Sequence, residues 1–248
     1  MPKLKRKEFK YYARLELLEA LRERFLKHMK HDPHCQDRDE RNYSVRSIYV
    51  DTPRFLFYYE KLDGLKIRKK LRIRTYNTFS DDSIAFFEIK RKFKNTIVKE
   101  RAKVPLEEAP NLMNGANLHL INEKTNFQER AALNKFIYLT KKLHLEAKTL
   151  VTYEREALLG IDDQTVRVTF DLNVRSFPNP DLDEIFREQD MRTFTDKHFI
   201  LEIKFFDLMP FWVRQIVRDF SLRKQSISKY CNGIEVWTDQ FSEQGYPE

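Results

Sequence analysis

The sequence predicts an α+β fold, an antiparallel β-barrel or tunnel with a basic interior and flanking helices. Seven segments alternate apolar and charged residues with period two, which is the pattern of strands with one buried and one charged face. Clusters of Asn, Asp and Ser such as NTFSDDS separate several of them, as expected for hairpin connections. Apolar residues at helical spacing occur near the start, the middle and the end of the chain.

These patterns predict the following elements in chain order. Strands are predicted at residues 4–12, 45–51, 66–76, 84–93, 97–104, 149–158, 165–172 and 199–206. Helices are predicted at residues 13–30, 105–114, 127–145 and 210–222, and in a short final segment that includes Ser228, Lys229 and Tyr230. Residues 31–42 are predicted to form a loop. Because no composition shift or repeat interrupts the pattern, we expect one domain covering residues 1–248.

The charge balance predicts an anionic partner. The 248 residues include 46 Lys and Arg against 38 Asp and Glu, a net charge of +8. Such a surplus favours nucleic acid, phosphates or an acidic membrane surface as the partner. Neither GxxxxGK[ST] nor GxGxxG occurs, so the sequence has none of the usual glycine-rich phosphate loops.

The sequence shows no targeting or membrane-spanning segment and no cysteine framework. The basic start MPKLKRKEFK has no apolar run after it, and no run approaches the roughly 20 apolar residues that cross a bilayer. Cys35 and Cys231 lie far apart and outside any CxxC motif. His28, His31 and His34 lie near Cys35 without a standard zinc spacing, so we expect a polar helix end and loop there. The aromatic FFDLMPFWV segment is expected to pack in the core. These features favour a cytoplasmic protein that does not itself span a membrane.

The charged rows recur on strand after strand and are rich in arginine. A solvent-facing row would normally mix Ser, Thr, Gln and Glu with Lys, whereas these rows combine Arg and Lys with a few isolated carboxylates. We therefore expect the sheet to curl into a closed or nearly closed barrel, with its apolar side under the helices and its charged side inward. The alternative is an ordinary sheet whose charged face contacts water.

The predicted interior carries a large positive excess. Its cations are Arg6, Lys10, Arg72, Arg74, Lys90, Lys99, Arg101, Arg155, Arg167, Lys204 and Lys229, and its acids are Glu8, Glu88, Asp171 and Glu202. An excess of that size cannot be buried unpaired, because desolvating an isolated charge costs several kcal/mol or more. A polyanion would neutralise it, since the arginine fork fits phosphate oxygens. The few carboxylates suit a divalent ion such as Mg²⁺ or Mn²⁺.

These residues resemble the triphosphate-tunnel (CYTH-like) superfamily and, within it, the catalytic domain of the VTC (vacuolar transporter chaperone) polyphosphate polymerases. The motifs that carry the resemblance appear in family order over nearly the whole chain: RKEFKY, YVDTPRF, KLRIRTY, FEIKRK, VKER, TYEREA, VRVTFD, LEIKF, PFWVRQIV and SISKYCNGI. The resemblance implies a β tunnel that binds triphosphate or polyphosphate. It also implies an enzyme that transfers the terminal phosphate of ATP to a growing polyphosphate chain with a divalent metal, often Mn²⁺.

The resemblance also implies roles for individual residues. The catalytic residues it implies are Arg72, Arg74, Lys90, Arg155, Arg167 and Lys229. Further phosphate-binding residues, from the resemblance and from the same inward rows, are Arg6, Lys10, Lys99, Arg101, Tyr153, Lys204 and Ser228. The metal ligands are Glu202, in LEIKF, and Glu8, on the first strand.

One departure from the superfamily pattern separates its branches. Hydrolytic members and the related adenylyl cyclases typically begin with Glu-x-Glu-x-Lys, and here the first of those glutamates is Arg6. Losing a carboxylate weakens a two-metal hydrolytic site and adds a phosphate ligand, which favours the polymerase branch. The sensory domain and membrane helices of eukaryotic members are absent from this sequence, so we expect a stand-alone catalytic domain with a possible separate membrane partner.

Two other functions compete with an ATP-dependent polyphosphate polymerase. One is a metal-dependent tripolyphosphatase or nucleoside triphosphatase of the same superfamily. The other is non-catalytic binding of polyphosphate or RNA. RNA readers usually present aromatic side chains for base stacking beside their cations, whereas the aromatic residues here mostly share the apolar faces of strands. We therefore expect ATP and inorganic polyphosphate or triphosphate as partners, and no nucleic acid.

Overall fold

The structure, a computed structural model, describes residues 6–36, 41–93, 96–124 and 126–238. The chain divides into two compact units, each of which is described by itself. Unit 1 comprises Met1–Ser44, Tyr153–Val174 and Thr193–Ser228. Unit 2 comprises Val45–Thr152, Arg175–Arg192 and Lys229–Glu248.

Antiparallel strands dominate the described part of the chain. The strands are β1 (Arg6–Arg14), β2 (Met29–His31), β3 (Tyr43–Asp51), β4 (Ile67–Tyr76), β5 (Ile84–Phe93), β6 (Thr96–Pro105), β7 (Glu146–Gly160), β8 (Arg167–Pro178), β9 (Arg192–Thr193), β10 (His198–Phe206) and β11 (Lys224–Gln225). The α-helices are α1 (Leu18–Leu26), α2 (Pro33–Gln36), α3 (Leu56–Leu62), α4 (Ala109–Asn114), α5 (His119–Asn122), α6 (Phe127–Leu143), α7 (Phe211–Asp219) and α8 (Lys229–Glu235). Short 3₁₀ turns lie at Leu15–Leu17, Leu106–Glu108 and Asp183–Phe186.

Unit 1 is built on a sheet with the strand order β11-β1-β10-β8. In the register between β1 and β10, Lys10 lies opposite Glu202 and Glu8 lies opposite Lys204. Between β10 and β8, Glu202 lies opposite Thr169. Because side chains alternate between the two faces of a strand, these polar residues all share one face.

Helices α1 and α7 cover the other face of the unit 1 sheet. Phe25 of α1 is fully buried and packs edge-on against Phe170 of β8, with 6.1 Å between ring centroids. Val213 and Ile216 of α7 belong to the same buried cluster. Burying each such side chain contributes roughly 1.5–3 kcal/mol. The helices therefore bury the apolar face of β1 and leave Glu8 and Lys10 on the face that they do not cover.

The sheet of unit 2 has the strand order β3-β4-β5-β6. Helix α6 packs on the apolar face of β5 and β6, where Phe136 lies edge-on to Phe87 at 5.0 Å. The sequence stabilises the start of this helix locally, because the Asn126 side chain accepts hydrogen bonds from the backbone N–H groups of Gln128 and Glu129. The apolar residues of the predicted 127–145 helix therefore lie on the buried face of α6, as their spacing predicts.

Most predicted elements are confirmed, but the helix predicted over residues 13–30 is wrong at both ends. Residues 13 and 14 belong to β1, a 3₁₀ turn and α1 follow, and Met29–His31 forms strand β2. The predicted loop at 31–42 contains helix α2. Met29 pairs with Gly160 of β7 and is buried there. Strand pairing therefore overrides the helical spacing that includes Met29. Residues 4 and 5 of the first predicted strand, and 37–40 of the predicted loop, lie outside the described residues.

Helix α3 was not predicted, because its capping group is distant in sequence. The Asp51 carboxylate, at the end of β3, accepts hydrogen bonds from the backbone N–H groups of Phe57 and Tyr58, both at 2.9 Å. Thr52 Oγ1 accepts another from the Leu56 N–H at 3.0 Å. A cap reached across several residues leaves no short-range signal of the usual Ser/Thr/Asp-before-helix kind.

The terminal aromatic segment is only partly in the core. Trp212 packs against the unit 1 core and Val213 is fully buried, as predicted, but Leu208 and Phe211 are exposed. The helical phase of α7 explains this, since Phe211 projects away from the face that carries Val213 and Ile216.

The predicted α+β class, with antiparallel strands and flanking helices, is confirmed. The predicted closed barrel is not confirmed, because the strand order of the described sheet ends at β11 and at β6 with no pairing between these two strands. The single-domain assignment to residues 1–248 stays a prediction. None of the described helices is long and apolar enough to cross a membrane.

Candidate functional site

The predicted site residues divide between the two units. In unit 1 lie Arg6, Glu8, Lys10, Tyr153, Arg155, Arg167, Glu202, Lys204 and Ser228. In unit 2 lie Arg72, Arg74, Lys90, Lys99, Arg101 and Lys229. Part of each set forms an ion-pair cluster around one buried carboxylate, Glu202 in unit 1 and Glu88 in unit 2.

The Glu202 cluster of unit 1 consists of Glu8, Lys10, Arg155, Glu202 and Lys204. The Glu202 carboxylate, 5% exposed, forms an ion pair with Lys204 and lies 3.8 Å from Lys10 Nζ and 4.0 Å from an Arg155 nitrogen. Lys10 Nζ also lies 3.3 Å from Glu8. Burial, the largest effect, lowers the pKa of Lys204 to about 8 despite the neighbouring carboxylates.

Arg155 is held mainly by a second carboxylate. Its Nε donates to Asp171 Oδ1 at 2.6 Å and its Nη2 donates to Asp171 Oδ2 at 2.8 Å, a bidentate pair in which Asp171 is fully buried. The guanidinium carbon lies 5.2 Å from the centre of the Tyr153 ring. Asp171 thus orients Arg155 and uses two of the nitrogens that a phosphate would otherwise bind.

Arg167 is paired with a carboxylate that the sequence patterns did not place. Its Nη2 lies 3.0 Å from Asp32 Oδ2 and donates to the Tyr43 hydroxyl at 3.4 Å. Asp32 is buried and lies between β2 and α2, in the segment predicted as a loop. Loop residues have no periodicity from which their direction can be read, which is why this acid was absent from the predicted interior.

Ion pairs offset most of the predicted positive charge in unit 1. Four carboxylates, Glu8, Asp32, Asp171 and Glu202, pair with four cations, which are Lys10, Arg155, Arg167 and Lys204, and Arg6 is the remaining predicted cation of this unit. Most of the predicted excess lies in unit 2, where six predicted cations accompany Glu88.

The Glu88 cluster of unit 2 consists of Arg72, Glu88, Lys99 and Arg101 on three adjacent strands. The register places Glu88 of β5 between Arg72 of β4 and Arg101 of β6. Arg72 Nε donates to Glu88 Oε2 at 2.7 Å, while Lys99 Nζ and Arg101 Nε lie 2.6 and 3.2 Å from Oε1. Burial by itself would raise the pKa of Glu88, but the charges of Arg72, Arg74 and Lys99 outweigh it and hold the pKa well below its usual value. One anion therefore aligns three cations.

Arg74 lies beside this cluster on β4. It is buried at 5% exposure, and its Nε donates to Ser47 Oγ at 2.9 Å. On the neighbouring strand β3, the Tyr49 hydroxyl accepts from Arg72 Nη1 at 3.1 Å, and its ring stacks on Tyr230 at 5.2 Å. The predicted pair Arg72 and Arg74 thus lies on one face, each arginine fixed by a hydroxyl group of β3.

The remaining predicted residues occupy varied environments. Arg6 is exposed, with its guanidinium 5.9 Å from the centre of the Phe206 ring. Lys90 is half-buried and lies in register with Lys99. Ser228 and Lys229 are both buried at the start of α8.

The predicted metal ligands fit an ion only together with a phosphate. No group of three or more His, Cys, Asp or Glu side chains that could hold a metal occurs within the part of the chain that the structure describes. Glu8 and Glu202 both lie near Lys10, so this region offers two carboxylates that share a cation. Mg²⁺ is commonly bound by one or two carboxylates with phosphates and waters as its other ligands. These residues therefore fit a phosphate-bridged ion and not an ion held by protein alone.

The VTC domain model matches residues 5–238. The chain belongs to the VTC domain family. No curated protein matches it.

Two solved structures are similar to this VTC domain. The PH1819 protein from Pyrococcus horikoshii OT3 is 16% identical, with 97% of this chain and 99% of that chain covered and a TM-score of 0.46. The putative adenylyl cyclase HpAC1 from Hippeastrum, which has a dominant triphosphatase activity, is 9% identical, with 92% and 95% covered and a TM-score of 0.48. Both TM-scores are below 0.5, so the family assignment rests on the family model alone.

The histidines near Cys35 of the VTC domain lie in separate environments. His28 stacks on Trp212 at 4.7 Å, and His31 Nε2 lies 3.0 Å from Glu156. Cys35 is fully buried, and His34 is exposed. These four side chains therefore do not converge on one point.

Sequence reasoning missed Tyr49 as a site residue of the VTC domain. The sequence does contain a pattern that could have revealed it, because Ser47, Tyr49 and Asp51 alternate with apolar residues on the predicted strand VRSIYVD and so share one face. The pairing of Tyr49 with Arg72 needed the register between β3 and β4. Burial alone would raise the pKa of Tyr49, but the charges of neighbouring cations, Arg72 foremost, lower the pKa to about 8.

We expect one tyrosine of the VTC domain to titrate near pH 8. The folded-state pKa of Tyr49 is about 8 against a reference of 10.0. Between these values the unfolded chain holds more protons, so this group makes the free energy of unfolding rise as pH increases from about 8 to 10. Phenolate absorbance during a pH titration measures it. Tyr49→Phe should remove the absorbance change near pH 8. The control Tyr138→Phe, at an exposed tyrosine, should leave that change in place. An unchanged absorbance curve in Tyr49→Phe would contradict the assignment.

Proposed function

We propose that this VTC domain is an ATP-dependent polyphosphate polymerase, which transfers the terminal phosphate of ATP to a growing polyphosphate chain. One observation carries the proposal: the basic face of β4, β5 and β6. By register, this face holds Arg68, Lys70, Arg72, Arg74, Lys90, Lys92, Lys99, Arg101 and Lys103. Among the side chains of these strands that the structure describes, Glu88 is the one carboxylate on that face. A surface with this charge is suited to a linear polyanion of high charge density.

The basic face can also stabilise the transferred phosphoryl group. Phosphoryl transfer depends on positioning and on stabilising charge at the phosphate oxygens, so no protein nucleophile is required. Arg72 and Arg74 present planar guanidinium groups whose directions are set by Glu88 and Ser47. Donors held in place before the reaction need no reorganisation in the transition state. Separately, Glu8 and Glu202 of unit 1 are proposed as ligands of a divalent ion, whose chemistry would be to neutralise charge on phosphate oxygens.

The aromatic rings of the basic face argue against an RNA partner. Three rings, Phe86, Tyr49 and Tyr76, are exceptions to the expectation that aromatic residues lie mostly on apolar faces, because they adjoin the cations. The Arg101 guanidinium lies 3.6 Å from the Phe86 ring centre, and the Tyr49 ring is buried and stacked on Tyr230. Stacking platforms for bases would need accessible rings.

The product of the reaction tests the proposal. The protein is incubated with ATP and Mn²⁺ or Mg²⁺, and the products are resolved on a gel. A ladder of polyphosphates is expected. Orthophosphate alone would indicate a tripolyphosphatase or nucleoside triphosphatase instead, and no turnover with tight polyphosphate binding would indicate a binding protein. A cytoplasmic location and a separate membrane partner belong to the same proposal.

Glu202→Gln is expected to abolish metal-dependent activity without weakening anion binding. The substitution keeps size and an acceptor oxygen but removes the charge that a divalent ion needs. Tripolyphosphate binding without metal should stay equal or tighten, because one repelling negative charge is lost. Activity against Mn²⁺ concentration, with a melting curve, measures both effects.

The control for Glu202→Gln is Glu16→Gln. Glu16 is an exposed carboxylate that pairs with Arg14 at 2.9 Å. The Glu16→Gln substitution should change neither the activity nor the Mn²⁺ concentration that the activity requires. Nearly normal activity of Glu202→Gln with an unshifted metal requirement would mean that Glu202 only pairs with Lys204 and Lys10.

A further inference from the structure

One buried hydroxyl group of unit 1 has no hydrogen-bond partner. Thr169 of β8 is 1% exposed, and its Oγ1 neither donates nor accepts a hydrogen bond among the residues that the structure describes. A buried polar group without a partner costs free energy, so such groups are rare in folded proteins. A ligand that accepts the hydroxyl hydrogen would remove that cost.

The Thr169 side chain projects to the charged face of the unit 1 sheet. Its chain neighbours Val168 and Phe170 belong to the buried apolar cluster on the other face, and successive side chains of a strand point to opposite sides. The register places Lys10, Glu202 and Thr169 next to one another across β1, β10 and β8. Directly opposite residues have Cβ atoms about 4.5–5.5 Å apart, so Thr169 is an immediate neighbour of Glu202.

The carboxylates next to this hydroxyl are held by cations. Asp171, two residues along β8 on the same face, accepts both hydrogen bonds of the bidentate pair with Arg155. Glu202 forms an ion pair with Lys204 and lies 3.8 Å from Lys10 and 4.0 Å from Arg155. Neither carboxylate accepts a hydrogen bond from the hydroxyl. Its free donor is therefore surrounded by charged groups that already pair with one another.

A second donor without a partner lies two residues away on the same face. Arg167 uses Nη2 to contact Asp32 and the Tyr43 hydroxyl, whereas its buried Nε has no hydrogen-bond partner in the described part of the chain. Lys204 lies directly opposite Arg167 and adds a positive charge beside it. An O–H and an N–H donor next to cations suit an oxyanion such as a phosphate group, whose oxygens accept hydrogen bonds.

We infer that the Thr169 hydroxyl is a ligand for a phosphate oxygen, to which it donates the hydrogen bond that no described group of the protein accepts. The inference rests on the proposed function, because the ligand is a phosphate of ATP or of the polyphosphate chain. The hydroxyl is neutral, so it adds a hydrogen bond beside Glu202 without changing the charge of the cluster.

The test removes the hydroxyl and keeps the shape of the side chain. Thr169→Val does this, and Thr169→Ser keeps the hydroxyl. The control is Thr152→Val, since Thr152 is also fully buried and its Oγ1 also lacks a partner among the described residues. Thr152 precedes Tyr153 on β7 and therefore lies on the opposite face of that strand.

Binding is measured by calorimetry with tripolyphosphate and with ATP, both without metal, and the tripolyphosphate titration is repeated with Mn²⁺. A loss for only one of the two ligands shows whether the phosphate belongs to the nucleotide or to the chain. Thermal unfolding of every variant is recorded without ligand.

Thr169→Val should weaken binding of tripolyphosphate, of ATP or of both about tenfold, which is roughly what one hydrogen bond to a charged group is worth. Thr169→Ser should stay within about threefold of the unmodified protein and Thr152→Val within about twofold, because neither loses that bond. Without ligand, Thr169→Val should melt no lower than the unmodified protein, because it removes an unsatisfied buried hydroxyl. The weaker binding would then not be a consequence of unfolding.

Three results would overturn the inference. The first is an unchanged affinity of Thr169→Val for both ligands. The second is a lower melting temperature of Thr169→Val without ligand, which would show that a structural water already bonds the hydroxyl. The third is a loss that appears only with Mn²⁺, which would assign the hydroxyl to the ion. Failure of the unmodified protein to bind either ligand would overturn the proposed function itself.

Discussion

Replacing Arg72 or Arg74 with alanine is expected to lower turnover by about 10²–10³-fold while the protein stays folded. Both guanidinium groups project from β4 onto the basic face, and each is fixed in advance by a hydrogen bond, to Glu88 or to Ser47. Losing a donor that is already aligned removes stabilisation of the transferred phosphoryl group in the transition state. Steady-state turnover of ATP into polyphosphate, with a thermal melt of each variant, measures the effect.

Lysine substitutions at the same positions separate charge from geometry. Arg72→Lys keeps the positive charge but cannot make the two-pronged contact of a guanidinium, so we expect it to restore only part of the activity. Arg91→Ala is the control, because Arg91 lies on the opposite face of the sheet and pairs with Glu100 at 2.9 Å. Near-normal turnover in both Arg72→Ala and Arg74→Ala would show that the reaction does not use the basic face.

Asp171→Ala is expected to lower the free energy of unfolding by about 3–5 kcal/mol. Asp171 is fully buried and accepts both hydrogen bonds of the bidentate pair with Arg155, which is itself 9% exposed. Removing the carboxylate would leave the guanidinium buried without its main counter-ion. Urea unfolding of both proteins measures the difference.

The control for Asp171 is an exposed pair of the same kind. Arg24 and Asp219 lie 2.8 Å apart, with side chains 38% and 43% exposed. Asp219→Ala should change stability by less than about 1 kcal/mol, because water screens the pair. The double variant Asp171→Leu with Arg155→Met should recover much of the lost stability, since neither charge of this pair is then left buried without the other. A small effect of Asp171→Ala would mean that water reaches Arg155.

Much of the local fold could be predicted because it depends on periodicity. Period two in KLRIRTY and FFEIKRK is enough to place Leu71 and Ile73 in the core and Arg72 and Arg74 on the opposite face, since successive side chains of a strand point to opposite sides. Helix α6 was equally visible, because its apolar spacing persists over many residues. A short segment such as the one around Met29 is compatible with both a helix and a strand. It forms a strand because Met29 pairs with Gly160, which lies far away in the sequence.

The sequence was enough to predict which residues form the candidate site and on which face of a strand each lies. It was not enough to predict which carboxylate forms an ion pair with which cation. That arginines and lysines share faces with few acids followed from the sequence, and so did the expectation of a polyanion. Which acid holds which cation did not follow, because ion pairs form across strands whose register depends on turns and packing. Glu88 contacts Arg72, Lys99 and Arg101 only because β4, β5 and β6 align at that row.

The sequence by itself therefore determined the faces of the strands, the sign of their charge and the family motifs of this VTC domain. The tertiary structure decided where that charge is already neutralised. Asp32, in a segment without periodicity, pairs with Arg167 from the far part of the chain, so the Glu202 cluster and its neighbours are balanced while the basic face is not. The physical reason is that the Coulomb energy depends on the distance between two charges in space. A sequence pattern shows only which face of a single strand or helix a side chain lies on.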